Sequence, residues 1–178
     1  RELGLKLCLH AGEEGPPEYV REALLDIGAD RIDHGNRAME DPALIAVLRD
    51  TQTPLTNCPL SNLSLCVLDD LRKSPVKRQL EEGLLVCVNS DDPAYFGGYT
   101  NENFRRTADA IGLTSEELIE LAKKSFRGSS LAPAAIEANL AANDAVTVEA
   151  VDQAFAAGFL RSDSRVPRCA FAAWTLRI

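Results

Sequence analysis

The chain has 178 residues, 46% of them hydrophobic and 26% charged, so it is long enough to bury a core and lacks the composition of a disordered protein. Its 27 acidic residues outnumber the 19 basic ones, and the net charge of −8 argues against a nucleic acid or an anionic membrane as a partner. No apolar run reaches the roughly 20 residues that a membrane-spanning helix needs. These features predict a soluble globular protein of one domain.

The cysteines indicate a cellular compartment. They are five in number, an odd count, and include no C-x-x-C pair. This pattern excludes a zinc finger built from cysteines and favours a reducing compartment over a disulfide framework. We therefore expect the protein in the cytoplasm.

Short apolar runs alternate with helix-like segments from the start of the chain. A strand is predicted at 5–9, and a helix at 16–27, where two prolines stand at the start and apolar residues form one stripe. A second strand is predicted at 31–33. The next helix begins at Asp41 and Pro42, which suit the N-cap and the first helical position.

The same alternation continues to the middle of the chain. A third strand is predicted at 54–56 and a helical stretch at 69–82. The fourth strand, 84–88, is an unbroken apolar run, as expected of a strand that is buried on both faces. Four βα units of this spacing predict an α/β fold with a parallel sheet. Further helices are predicted at 102–111, 115–126, 133–142 and 147–157.

Polar side chains follow each predicted strand, and both histidines of the chain are among them. In parallel α/β proteins the carboxyl ends of the strands converge on one face, where ligands bind. Each residue alone has another explanation, since a histidine can cap or pack and Asp-Asp-Pro can form a turn. Their convergence on one face favours a functional site. The residues are His10, Glu13, His34, Asn57, Ser61, Asn62, Asp91 and Asp92.

These residue types suit a zinc site for hydrolysis or deamination. Histidine and aspartate bind zinc, and a bound zinc lowers the pKa of water to about 7. A histidine off the metal could accept a proton from that water, and a glutamate close to a ligand could protonate the electrophile. His10 and Asp91 alone are too few ligands to hold zinc firmly.

Four short motifs follow the predicted strands in order along the chain. They are His10-Ala11-Gly12-Glu13, Asp33-His34-Gly35, Cys58-Pro59-Leu60-Ser61-Asn62 and Ser90-Asp91-Asp92-Pro93. Together they resemble the signature of the adenosine/adenine deaminase family, whose members are zinc enzymes on a (β/α)8 TIM barrel in the amidohydrolase superfamily. The resemblance covers about residues 3–142, and the sequences of 32–37 and 89–99 are similar to adenine deaminases rather than adenosine deaminases.

The resemblance implies an activity and a role for each site residue. Zinc would be the cofactor, with His10 and Asp91 as ligands. Glu13 would donate a proton to N1 of a small-molecule purine, and His34 would hold and deprotonate the attacking water. Asp92 would hydrogen-bond N7. Adenine would give hypoxanthine and ammonia, a step of purine salvage.

Two departures from the family limit this expectation. The family's first strand carries a His-x-His pair of zinc ligands that this chain lacks, and four βα units stand where a barrel has eight. We therefore expect 1–145 to be the C-terminal half of the barrel, a fragment that is inactive alone, with a helix and tail at 146–178. Adenosine or another aminopurine as the substrate remains open, and so does a truncated binding module without catalysis. The oligomeric state is also open.

Overall fold

A four-stranded parallel sheet forms the centre of the protein, whose computed structural model describes residues 3–156. The strands lie in chain order, β1-β2-β3-β4, so each helical connection returns the chain to the next position in the sheet. This is the predicted α/β fold of four βα units followed by helices. The strands are β1 (Cys8–Ala11), β2 (Arg31–His34), β3 (Leu55–Asn57) and β4 (Val86–Val88).

The first strand begins later than predicted. Residues 5–7 have no parallel partner in the sheet, because β2 begins only at Arg31, opposite Cys8. The Leu7 carbonyl still accepts from the backbone N–H groups of Asp30 and Arg31. The predicted start at residue 5 was therefore wrong, since the apolar run extends beyond its hydrogen-bonded part.

Helical segments follow every strand. The helices predicted at 102–111, 115–126, 133–142 and 147–157 are found as α6 to α9, with residue 157 outside the described part. A π-helical turn (Glu22–Ile27) continues α1, and 3₁₀ turns lie at Asn36–Glu40 and Leu71–Lys73. The α-helices are α1 (Pro17–Arg21), α2 (Pro42–Thr51), α3 (Pro59–Ser64), α4 (Val76–Glu81), α5 (Pro93–Phe96), α6 (Thr100–Ile111), α7 (Ser115–Arg127), α8 (Pro133–Asp144) and α9 (Val148–Ala156).

One predicted helix is wrong, and two short helices were not predicted. The stretch 69–82 is not one helix, because Ser74 takes an extended backbone, as a residue before proline tends to, and separates the 3₁₀ turn from α4. The short helices α3 and α5 were not predicted, since each is hidden in a motif that follows a strand. Each begins with a proline at its first turn, where proline suits a helix.

The core lies between the sheet and the helices that cover it. Strand β4 is buried along its whole length, as the apolar run predicted. It packs against α7. Within residues 3–156, no helix is both long and apolar enough to cross a membrane. The largest fully buried apolar side chains are Ile32, Leu44, Leu48, Leu55, Leu60, Leu84 and Leu121.

Candidate functional site

Two residues at the carboxyl edge of the sheet have an unusual backbone. His34, the last residue of β2, has φ 67°, and Asp91, three residues after β4, has φ 56°. The left-handed region costs a residue with a side chain about 1–2 kcal/mol, and such strain clusters at functional sites. Both residues were predicted from the sequence as members of the site.

The turn after β1 brings Glu13 to His34. Gly12 has φ +66°, and a Cβ atom there would lie 2.4 Å from Cγ2 of Val20, so only glycine fits. The chain then places Oε1 of Glu13 3.5 Å from Nδ1 of His34. This oxygen is buried and has no hydrogen-bond partner among the described residues. A buried carboxylate oxygen without a hydrogen bond destabilises the folded state, and such oxygens are often found at functional sites.

His34 is almost fully buried and lies between acidic and amide groups. Its Nδ1 atom is 3.2 Å from Oδ1 of Asn62, and its Nε2 atom is 4.0 Å from Oδ2 of Asp91. The ring centroid of His10 lies 5.1 Å from that of His34. His10 is largely exposed, and its Nδ1 atom is 3.6 Å from Oδ2 of Asp33.

Three side chains of the site could together hold a metal ion. A nitrogen of His34, the sulfur of Cys58 and an oxygen of Asp91 all lie within 4.8 Å of one another. Zinc accepts nitrogen, sulfur and oxygen ligands, so this donor set fits a zinc ion. His10 does not belong to this trio but borders the same cavity. The assignment of His10 and Asp91 as the metal ligands stays a prediction.

The thiol of Cys58 is protonated at neutral pH. Its burial, followed by the negative charge of Asp91, raises its pKa far above the ordinary value. The sulfur also contacts the Thr56 carbonyl at 3.5 Å. Cys58 would therefore become a ligand only by losing its proton to a metal ion.

An open cavity of about 310 Å³ occupies this edge of the sheet. It is large enough for a small heterocycle rather than a macromolecule. Asp92 is not among the residues that line it. It is exposed and stands at the N-cap of α5 without a side-chain capping bond, so its predicted role in substrate binding stays a prediction. The lining includes His10, Asp33, His34, Cys58, Asp91 and Thr100.

Asp33 is a site residue to which the sequence alone gave no role. Its Oδ1 atom accepts hydrogen bonds from Arg31 at 2.9 Å and from Thr56 at 2.8 Å, while Oδ2 faces His10. Thr56 is the register partner of Asp33 across β2 and β3. Parallel register and the two-residue period of a strand are the signals that could have found this contact.

A comparison with models of protein families shows the family of the chain. The family model described as adenosine deaminase matches residues 1–147. The chain belongs to the adenosine deaminase family. Adenine deaminases of Sphingopyxis alaskensis and Caulobacter vibrioides are each 57% identical to it over 145 residues, which is 82% of this chain. The chain spans 42% of the length of these members of the adenosine deaminase family.

Two solved structures match the fold of the chain. The adenine deaminase from Arthrobacter aurescens matches with a TM-score of 0.78 and 45% identity, covering 80% of this chain and 44% of that one. An amidohydrolase from Burkhoderia ambifaria, solved with bound zinc, matches with a TM-score of 0.78 and 25% identity, covering 88% and 44%. The four βα units therefore form part of a (β/α)8 barrel, as predicted.

Proposed function

We propose that this chain is part of a zinc-dependent adenine deaminase, which hydrolyses adenine to hypoxanthine and ammonia in purine salvage. The observation that carries the proposal is the setting of His34, whose Nδ1 atom faces Glu13 and whose Nε2 atom faces Asp91. A base between a carboxyl group and a metal-ligating carboxylate suits hydrolysis at a purine carbon. The 57% identity to adenine deaminases supports adenine as the substrate.

The metal proposal takes His10 and Asp91 from the family resemblance. Of the three side chains that lie close enough to share an ion, it uses only Asp91, because His34 is assigned as the base. His10 and Asp91 would hold zinc, and further ligands would come from parts of the protein outside this chain. A bound zinc ion would supply Lewis acidity, which makes water a nucleophile at neutral pH. The zinc-bound amidohydrolase supports this choice of metal.

The chain's own side chains would move the protons. His34 takes a proton from the attacking water at Nε2, because Nδ1 is turned toward oxygen acceptors. Glu13 gives a proton to N1 of the purine, which makes C6 electrophilic. The water oxygen then bonds to C6. His34 passes its proton to the amino nitrogen, the bond between C6 and that nitrogen breaks, and ammonia leaves. The remaining hydroxyl proton on C6 returns to Glu13 as the carbonyl group of hypoxanthine forms. Asp92, the exposed residue next to Asp91, would hydrogen-bond N7.

The Glu13 carboxyl group is set up for this exchange. Its side chain is four-fifths buried, and its Oε1 atom lacks a hydrogen bond within the described residues. A carboxyl oxygen without a hydrogen bond can form one to a substrate without first breaking another. Glu13 is not among the residues that line the cavity, so the purine must reach it beside His34. Glu14, the next residue, is exposed and lacks this setting.

The test uses a full-length protein that contains this chain. We expect ammonia release from adenine but not from adenosine, and about one zinc ion per chain. Ammonia release from adenosine instead would change the proposed substrate from adenine to adenosine and leave the proposed deamination chemistry unchanged. A purified protein with neither zinc nor turnover would contradict the proposal and favour a binding module. We also propose that the binding partner is a small purine and that the protein lies in the cytoplasm.

A further inference from the structure

A short hydrogen bond joins Ser61 to Asp91 at the site. The Ser61 hydroxyl donates to Oδ2 of Asp91 at 2.6 Å, which is typical of a hydroxyl on an ionised carboxylate. Ser61 is fully buried, whereas the Asp91 side chain is 29% exposed. The contact therefore joins a fixed donor to a carboxylate at the cavity surface.

Asp91 needs an external contact to fix its carboxylate. It lies after the end of β4 and has a left-handed backbone at φ 56°. The His34 Nε2 atom lies 4.0 Å from Oδ2, beyond hydrogen-bond distance. Among the described residues, the Ser61 hydroxyl is the one group with a hydrogen bond to this side chain. It thus holds Oδ2 and leaves Oδ1 free for another ligand.

Ser61 is itself held by α6. The Asn103 side chain, fully buried, accepts from the Leu60 N–H at 3.1 Å and donates to the carbonyls of Gly98 and Tyr99 at 3.2 Å. These bonds join the start of α3 to the loop that follows Asp91. The start of α3, which carries Ser61, is therefore fixed through one amide group to the segment after α5, downstream of Asp91.

We infer that Ser61 is a positioning residue that orients Asp91 for metal binding. This inference rests on the proposed function, because it takes Asp91 as a metal ligand. A partner that orients a ligand reduces the freedom lost when the metal binds, and its removal typically lowers metal affinity about 10- to 100-fold. Ser61 touches neither metal nor substrate in this role and acts only through Asp91.

The experiment measures zinc affinity by competition with a chelator in the full-length protein. We expect Ser61→Ala to weaken zinc binding about 10- to 100-fold. Ser64→Ala is the matched control, since Ser64 lies exposed on the same helix and should bind zinc as the wild type does. Ser61→Cys keeps the side chain nearly isosteric with a much weaker donor, so it should also lose affinity. The Tm of each metal-free variant separates this loss from unfolding.

The outcomes distinguish the inference from the proposed function. Wild-type zinc affinity in both Ser61 variants, beside an active wild-type enzyme, would overturn the role of Ser61 and leave the deaminase intact. A wild-type protein without zinc would overturn both. Weakened zinc binding in a protein that does not act on adenine would support Ser61 and contradict the substrate.

Discussion

The amide oxygen of Asn62 lies 3.2 Å from Nδ1 of His34, and both side chains are buried. An amide oxygen only accepts hydrogen bonds, so this contact favours the neutral tautomer of His34 with the proton on Nδ1 and the lone pair on Nε2. The nearby Oε1 atom of Glu13 favours the same tautomer. Asn62 therefore selects the form of His34 that presents a basic nitrogen to the cavity, on the side of Asp91.

Asn62→Ala should slow turnover while zinc content stays at the wild-type level. Loss of a buried hydrogen-bond partner costs about 1–3 kcal/mol, which is roughly a 5- to 150-fold lower rate if the whole cost falls on the transition state. The measurement is kcat for ammonia release in the full-length protein, with zinc content determined on the same sample. Unchanged kcat in a fully folded variant would show that Asn62 does not orient His34.

Glu13→Gln should abolish most turnover and leave metal binding intact. The amide keeps the size of the side chain but cannot donate an acidic proton, and general acid catalysis contributes about 10²- to 10⁴-fold. Glu14→Gln is the control, because Glu14 is the exposed neighbour. Ammonia release and zinc content are measured for both variants. Normal turnover in Glu13→Gln would remove Glu13 as the proton donor.

His10→Ala should lower both zinc content and activity. The His10 ring borders the cavity and lies beside His34, where its exposed side chain can reach a ligand. Cys8→Ala is a matched control, since Cys8 is exposed two residues earlier on the same strand. Metal analysis after dialysis reports the result. Full zinc retention in His10→Ala would contradict its assignment as a ligand.

The sequence located the four strands of the described sheet, with each end within three residues of its observed position, because each strand has a local signal. Apolar runs located the four strands, and the convergence of strand ends in a parallel sheet then placed His10, His34 and Asp91 near one another. The family resemblance added roles, which the geometry of side chains alone does not assign. These roles stay predictions until a metal and a substrate are measured.

The supporting contacts could not be predicted from local patterns. Asn103 caps the start of α3 across 43 positions of the chain, and Ser61 reaches Asp91 across 30. Such pairs depend on how distant segments pack against each other, which neither propensity nor periodicity encodes. In contrast, the break of 69–82 at Ser74 had a local signal in the following proline, so that error was avoidable.

The stability of the protein should depend on Asp41 at low pH. Its hydrogen bond to Arg21 and the backbone N–H groups of Leu44 and Ala43 lower its pKa in the folded state. The unfolded state then binds more protons, so this stabilisation is present above the unfolded pKa and is lost as pH falls through the folded pKa. Asp41 also confirms the N-cap predicted for α2.

Asp41→Asn should flatten the pH dependence of the free energy of unfolding as pH falls below the ordinary aspartate pKa of about 3.9. The asparagine retains an accepting oxygen for the helix N-terminus but cannot titrate. Asp50→Asn, at an exposed position of the same helix, should keep the wild-type slope. Urea unfolding at several pH values measures both slopes. Equal slopes for Asp41→Asn and the wild type would contradict the role of Asp41.

Gly12→Ala should destabilise the protein more than Gly112→Ala. Both glycines have φ +66°, so both substitutions pay about 1–2 kcal/mol for a left-handed backbone. Only at Gly12 would the new Cβ atom collide, at 2.4 Å, with Val20, whereas at Gly112 nothing lies within 4 Å. The difference between the two variants in urea unfolding isolates the collision. Because Glu13 follows directly, relief of that collision would also displace Glu13 from His34, so Gly12→Ala should lose activity while Gly112→Ala keeps it.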